Sequence, residues 1–474
     1  MVFSSSLFLF YFLPAVLFSY YFAPTKIKNL VIVLFSLFFY AWGAPKYVLM
    51  VLIAMTMDYV FAHQIYLSEG KKRKWILTLG LSINIGLLLF FKYANFFVIN
   101  LNETLSLFGH RPVSFFKVAL PIGISFFTFH EMSYLIDVYR KDKPPLKKFT
   151  DYAVYILFFP QLIAGPIIRF NEISDQIQNR SSNETIENRL IGFFRFVIGL
   201  SKKVLIANVV GQQADIIFSI PNADLSTLNC WIGAIAYTFQ IYFDFSGYSD
   251  MAIGIARMMG FVFPENFNNP YISKNITEFW TRWHMTLGRW MRDYLYIPLG
   301  GNRVKTKARL YFNLSIVFII SGFWHGAAWN FIFWGVFHGV FLILDRLFLI
   351  KIFEKIGRLP SIIFTFLITI IGWVFFRSES LKQALFFIKR MFLYHSSDKH
   401  LAINSQFWTI MLFALFFSFI TTSKWGEIVE RKIFTNNYSS QRFIIMSLVC
   451  FILFIISVGN ITSSGFNPFI YFRF

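Results

Sequence analysis

Apolar runs of about 20 residues, long enough to cross a hydrocarbon layer as helix, recur along this whole chain. They cover about 5–24, 29–44, 47–67, 75–99, 115–138, 190–218, 229–260, 310–324, 327–350, 360–377, 406–422 and 441–458. The second and eighth are short. Segments 150–170 and 381–394 are apolar but interrupted or amphipathic. Pro160, Gly165 and Pro166 break the first of these, so a re-entrant element fits there as well as a span does. The expected fold is an all-α polytopic membrane protein with about 11 to 13 membrane helices plus re-entrant and interfacial ones. No polar stretch is long enough for a soluble domain, so residues 1–474 read as one integral membrane domain.

A second property sits beside this one: the formal net charge is +20, from 44 Lys+Arg against 24 Asp+Glu. With 56% of residues hydrophobic and 14% charged, intrinsic disorder is excluded. No hydrophilic domain exists to carry the charge to nucleic acid. The 64 phenylalanines are too many for an alternating barrel with a polar lumen. Basic loops between membrane helices reconcile the two properties. Loops 25–28, 68–74 and 140–148 hold eleven positive side chains, and they share one side if the first five spans alternate. The opposite loops hold Lys46, Arg111 and Lys117. The expected orientation has the first group in the cytoplasm and the N-terminus outside. The first 24 residues lack a basic leading region and run almost directly into more apolar sequence, which fits a retained span better than a cleaved signal. Cys230 and Cys450 lie far apart in apolar surroundings and read as two buried thiols.

Residues 261–309 interrupt the apolar pattern. Trp283, Leu287, Trp290 and Tyr294 recur at helical spacing, and Arg282, Arg289 and Asp293 form a second stripe. The spacing predicts an amphipathic helix starting near Ser273 or Thr277 and ended by Pro298 and Gly300–Gly301, lying in the interface rather than crossing it. Its arginines Arg282, Arg289 and Arg292, with Arg303, either meet lipid headgroups at about 1 kcal/mol each or form a mouth for an anionic acyl donor. Trp280 and Trp283 line the same region. His284 sits in WTRWH on this helix, on a face with Trp280, Gly288 and Arg292; alone it reads as an interfacial histidine of an aromatic belt.

His325 follows a 15-residue apolar stretch from Leu310. At about 1.5 Å per residue it lies about 22 Å along the helix, well inside a hydrocarbon layer of about 30 Å. An ionisable group at that depth is a functional candidate by default, the alternative being a packed histidine that bridges helices. Gly322, Gly326, Ala327 and Ala328 around it allow close approach. His338 falls about 220° away around a continuous helix and reads as structural. His130, near Glu131 and Asp137 in the fifth apolar run, reads as packing. The sequence contains no phosphate loop, HExxH or GxSxG pattern.

FWTRWHMTLGRWMRDYLYIPLGGNR (279–303) and SGFWHGAAWNFIFWGVFHG (321–339) resemble the signature of the membrane-bound O-acyltransferase superfamily. LPIGISFFTFHEMSYLIDVYR (120–140), FFPQLIAGPIIRF (158–170) and the ending NPFIYFRF (467–474) resemble its bacterial alginate O-acetyltransferase branch. The blocks span nearly the whole chain; one departure is His130, where glutamine is the more frequent residue. The resemblance implies a ring of membrane helices around a central tunnel, with His325 (within 310–350) as catalytic base and His284 as its partner. It implies no permanently bound cofactor. The donor it implies is an acyl thioester, acetyl-coenzyme A or an acyl-carrier phosphopantetheine, on the cytoplasmic side. The acceptor it implies is an extracytoplasmic polysaccharide such as alginate or peptidoglycan. It further implies a periplasmic or membrane-anchored SGNH-type acetyltransferase as partner and a bacterial inner-membrane location. The related D-alanyl transfer system uses a C-terminal aromatic motif like FIYFRF, which makes Tyr471 a possible acyl relay; its other reading is an interfacial anchor.

Two other readings compete with acetyl transfer. One keeps the acyltransferase and changes the group to D-alanyl or a longer chain. The other is a transporter for a glycan or acyl carrier, where intramembrane histidines and broken segments also occur. A transporter should show inverted repeats, and none is visible.

Overall fold

The computed structural model describes residues 1–397, 403–434, 438–466 and 470. Every regular element among them is helical. The chain forms two compact units: Met1, Leu7–Arg189 and Met259–Phe263 make the first, and Val2–Ser6, Leu190–Met258 and Pro264–Phe474 the second.

Six helical stretches among the described residues are long and apolar enough to cross a membrane: Thr25–Gly43, Pro45–Leu67, Gly70–Leu107, Arg358–Arg377, Ser405–Thr422 and Ser440–Ser463. That is fewer than the apolar runs suggested, for identifiable reasons. The run at 115–138 becomes helix only from Ile124 to Arg140. The helix Thr227–Met258 is 32 residues long, but it carries Asn229, Gln240, Asp244, Ser249 and Asp250, all buried. Those polar groups lower its hydropathy because it is surrounded by protein.

In the first unit the segment at 150–170 breaks where its prolines and glycine require. Helix Phe149–Leu157 stops at Phe158, a short turn Phe159–Leu162 follows, and helix resumes at Phe170. Residues 152–168 are all buried, so this non-helical backbone is covered by protein. The helix Ile124–Arg140 supplies partners for its free amides. Ile168 donates its N–H to His130 Nε2 at 3.3 Å, and Asn171 donates to Asp137 Oδ2 at 3.1 Å. His130 therefore holds backbone in place, in keeping with its expected packing role. Phe8, Phe12 and Phe39 pack ring against ring with one another and with Phe159 of this segment.

The second unit is built around Thr227–Met258. The preceding helix runs from Ile186 through a wide turn at Lys202–Ala207 to Phe218. The two approach so closely that a Cβ on Gly199 would meet the Gly247 carbonyl oxygen at 2.5 Å. Small residues at such a crossing let backbones touch. Three cationic side chains of the first helix meet two carboxylates of the second. Lys203 pairs with Asp244 at 2.7 Å, and Arg195 and Lys202 each reach Asp250 at 2.7 Å. Cys230 and Cys450 are both buried free thiols.

The helices Lys307–His325 and Trp329–Leu344 form a tight pair. A Cβ on Gly322 would lie 2.3 Å from the Phe331 carbonyl oxygen, so only glycine fits one turn before His325. The link between the helices is Gly326–Ala328, and the side chain of Asn330 donates to the carbonyls of Phe375 and Ser378 at 3.2 and 2.7 Å. This fastens the pair to the end of helix Arg358–Arg377 and fixes where His325 stands.

Candidate functional site

The candidate residues with described coordinates all lie in the second unit. The amphipathic helix expected through 277–297 is interrupted in its middle. Helix Ile276–Arg282 ends, Trp283 is extended, and His284 takes φ +43°, before helix Met285–Met291 begins. A left-handed backbone at a non-glycine residue needs surrounding contacts to hold it. Those contacts come from the loop before it: Met285 N–H donates to the Asn266 carbonyl at 2.9 Å, and Asn268 N–H to the Arg282 carbonyl at 2.9 Å. The break overturns the expected face of His284 with Trp280, Gly288 and Arg292, because that face assumed continuous helical rotation. It also takes His284 out of any aqueous interface, since only 1% of its surface is exposed.

The His284 ring sits in a small polar cradle. Its Nδ1 lies 3.0 Å from Asn266 Oδ1. The same oxygen accepts from Thr286 Oγ1 at 2.8 Å and from the Thr286 N–H at 3.3 Å. Asn266 Nδ2 donates to Ser249 Oγ at 2.9 Å. Phe245 closes one wall, edge to face at 4.7 Å between centroids. Burial pushes this imidazole, which lies outside the spanning helices, down to about 3, so it is neutral at physiological pH.

His325 is the last residue of helix Lys307–His325 and is 8% exposed. Its ring is packed against Trp324 at 4.8 Å, Trp334 at 5.1 Å and Phe376 at 5.2 Å. Trp324 also lies 6.4 Å from His284. One indole therefore borders both histidines, which are 41 positions apart in sequence. The structure brings the two expected histidines to a common wall. His338 packs on Trp280 and Trp334 at 5.1 and 5.2 Å, in an aromatic layer behind His325.

The donor-entrance candidates divide. Trp283 is buried, 4.7 Å from Trp373, and Trp280 is half-buried against Trp334. Both are structural walls of the aromatic layer. Arg282 is held by Glu278 at 2.9 Å and by the Asn268 carbonyl at 3.1 Å. Arg292 is exposed and pairs with its neighbour Asp293 at 2.7 Å, while Arg289 is half-buried. Asp345 steadies the whole segment by accepting from Thr277 N–H at 2.8 Å and Thr277 Oγ1 at 2.9 Å. Tyr471 lies outside the described residues. The residue before it, Ile470, is buried and donates its N–H to Asp244 Oδ2 at 2.8 Å. Asn208, which accepts from Lys203 at 2.8 Å, donates to the Phe466 carbonyl at 3.4 Å.

The chain matches the membrane-bound O-acyltransferase family over residues 4–378. It belongs to that family. A probable alginate O-acetylase of Azotobacter vinelandii is 40% identical to it over 510 residues, covering 100% of both chains. A second, from Pseudomonas aeruginosa, is 44% identical over 395 residues, covering 83% of this chain and 75% of the relative. A peptidoglycan O-acetyltransferase of Helicobacter pylori is 40% identical over 426 residues, covering 82% of this chain and 80% of the relative. Within the membrane-bound O-acyltransferases the chain stands in the bacterial alginate O-acetyltransferase-like branch. It is a multi-pass membrane enzyme that transfers an acyl group to oxygen, and so requires an acyl donor as substrate.

The sequence reading missed Asn266, Ser249 and Trp324. Trp324 carried a signal, since it sits in FWHG beside His325. Asn266 lay inside the polar interruption without periodic neighbours, 18 positions from the histidine it holds.

Proposed function

We propose that this enzyme takes an acetyl group from a cytoplasmic thioester, acetyl-coenzyme A or a phosphopantetheine carrier, for O-acetylation of an extracytoplasmic polysaccharide. The observation that carries the reading is the pair of buried imidazoles, His284 and His325, on one shared indole. Relatives named for alginate and peptidoglycan O-acetylation favour acetyl as the group and a cell-envelope glycan as the final acceptor.

The chemistry needs one base and one route for a proton. A hydroxyl oxygen attacks the thioester carbonyl while His325 takes its proton. The tetrahedral intermediate collapses, the carbon–sulfur bond breaks, and His325 returns the proton to the departing thiolate. Excluding water from the aromatic layer strengthens any donor aimed at the oxyanion. His284 orients the thioester or gives that hydrogen bond. Arg282, Arg289 and Arg292 guide an anionic donor toward the site. Tyr471 is the first hydroxyl to be acylated in this scheme, and its neighbour Ile470 is buried and bonded to Asp244. An SGNH-type transferase outside the membrane then completes delivery. The enzyme resides in the bacterial inner membrane with its N-terminus outside.

The test is a strain whose sole copy carries His325→Ala. Surface glycans should lose their acetyl groups while the protein stays at normal abundance in the membrane. Undiminished acetylation would overturn the proposal. Tyr471→Phe with full transfer would remove the relay alone.

A further inference from the structure

We infer that Asn266 is a positioning residue that locks His284 in the tautomer with hydrogen on Nδ1, so that its free Nε2 receives a hydrogen from bound substrate. This deepens the acyl-transfer reading and rests on it.

The argument turns on one oxygen. Asn266 Oδ1 faces three partners: Thr286 N–H, Thr286 Oγ1 and His284 Nδ1. The Thr286 amide can only donate. The side-chain atom in front of it must therefore be the carbonyl oxygen, since the amide nitrogen would set donor against donor. Ser249 Oγ, which can accept, then takes the hydrogen bond from Nδ2 on the other side. An amide oxygen can only accept, so His284 Nδ1 carries the hydrogen of this bond. A neutral imidazole with hydrogen on Nδ1 has a bare lone pair on Nε2. Among the described residues, Nε2 is buried and without a hydrogen-bond partner.

A buried acceptor left open is costly in a resting protein and useful in a binding site. Of the two roles open to His284, giving a hydrogen bond to the oxyanion would need hydrogen on Nε2, which this cradle denies. Orienting substrate by accepting an N–H or O–H remains. The amide groups of a pantetheine arm and a sugar hydroxyl both supply such a hydrogen.

The charged groups around the cradle leave the imidazole uncharged. On helix Thr227–Met258, Asp244 is paired with Lys203, and Asp250 with Arg195 and Lys202. Glu265, next to Asn266, is paired with Arg195. Arg289 lies on the helix that His284 begins, and His325 shares Trp324.

Two measurements test this on the full chain in lipid nanodiscs. Nitrogen-15 spectra of histidine-labelled protein, assigned by comparison with His284→Gln, should show His284 with a protonated Nδ1 and an unprotonated Nε2. The opposite tautomer overturns the inference and needs no variant of Asn266. In turnover of acetyl-coenzyme A, Asn266→Leu should lower kcat about tenfold or more by freeing the tautomer. Asn266→Asp should keep part of the activity and move the acid limb of the pH profile upward, because a carboxylate there favours the imidazolium that cannot accept. Wild-type kcat in Asn266→Leu, or an unmoved limb in Asn266→Asp, overturns the inference. If wild-type protein consumes no acetyl-coenzyme A, that donor is ruled out and turnover is measured with an acetylated phosphopantetheine carrier; inactivity with both overturns the acyl-donor reading, and the nitrogen spectra still decide the tautomer.

Discussion

The two candidate histidines stand in contrasting surroundings. His284 is held by hydrogen bonds in a cradle of Asn266, Thr286 and Ser249, on a left-handed turn between two short helices. His325 is walled by the rings of Trp324, Trp334 and Phe376 at the end of a long helix. Hydrogen bonds select which nitrogen carries a proton; rings select where the imidazole stands and keep water away. The difference fits a division in which one histidine presents a fixed lone pair and the other moves a proton.

The largest effect expected from breaking this contrast is at His325. His325→Ala should lower the rate of acetyl transfer by about 10²- to 10⁴-fold, the usual worth of a positioned base, read in glycan acetyl content. Next is the buried Lys203–Asp244 ion pair, which also receives the Ile470 N–H. Asp244→Ala strands Lys203 in the interior and should cost about 3–5 kcal/mol. Thermal unfolding in detergent checks this, and the paired change Asp244→Leu with Lys203→Met should recover most of it. Acid sensitivity comes third. His284 is neutral when folded but takes a proton near its ordinary value of about 6.5 when unfolded. Its depressed value therefore withdraws stability as pH falls below about 6.5, by about 1.4 kcal/mol per pH unit at most. The unfolding midpoint of His284→Gln should fall less between neutrality and pH 5 than that of the wild type. The smallest effect is at the rim: Arg292→Ala should change stability by less than about 0.5 kcal/mol. It should raise the KM for an anionic donor about twofold if the rim attracts charge.

How far the sequence spoke depends on the range of the interaction. Helical membrane architecture follows from apolar runs, which are local, and the structure has it. The helix that ends at His325 follows from one apolar segment, and the glycines around it announce the close helix pair. The break at 158–169 follows from Pro160, Gly165 and Pro166. What failed was the continuous helix through His284. Every residue from Thr277 to Tyr296 is compatible with helix, and the aromatic spacing of Trp283, Leu287, Trp290 and Tyr294 rewards one. Contacts from Asn266 and Asn268 override that preference, and no local pattern reveals them. The absence of one apolar run from the six long apolar helices has a related cause. The apolar run at 229–260 buries polar groups whose partners lie on a helix elsewhere in sequence.

That last helix bears on how the protein enters the membrane at all. Arg195, Lys202 and Lys203 emerge from the ribosome before Asp244 and Asp250, and alone they oppose partition into lipid at about 2.5–3.5 kcal/mol each near the middle of the layer. The carboxylates that neutralise them follow about 40 to 55 residues later. The two helices are therefore expected to leave the translocon as one charge-matched hairpin, the first waiting in the channel until the second arrives.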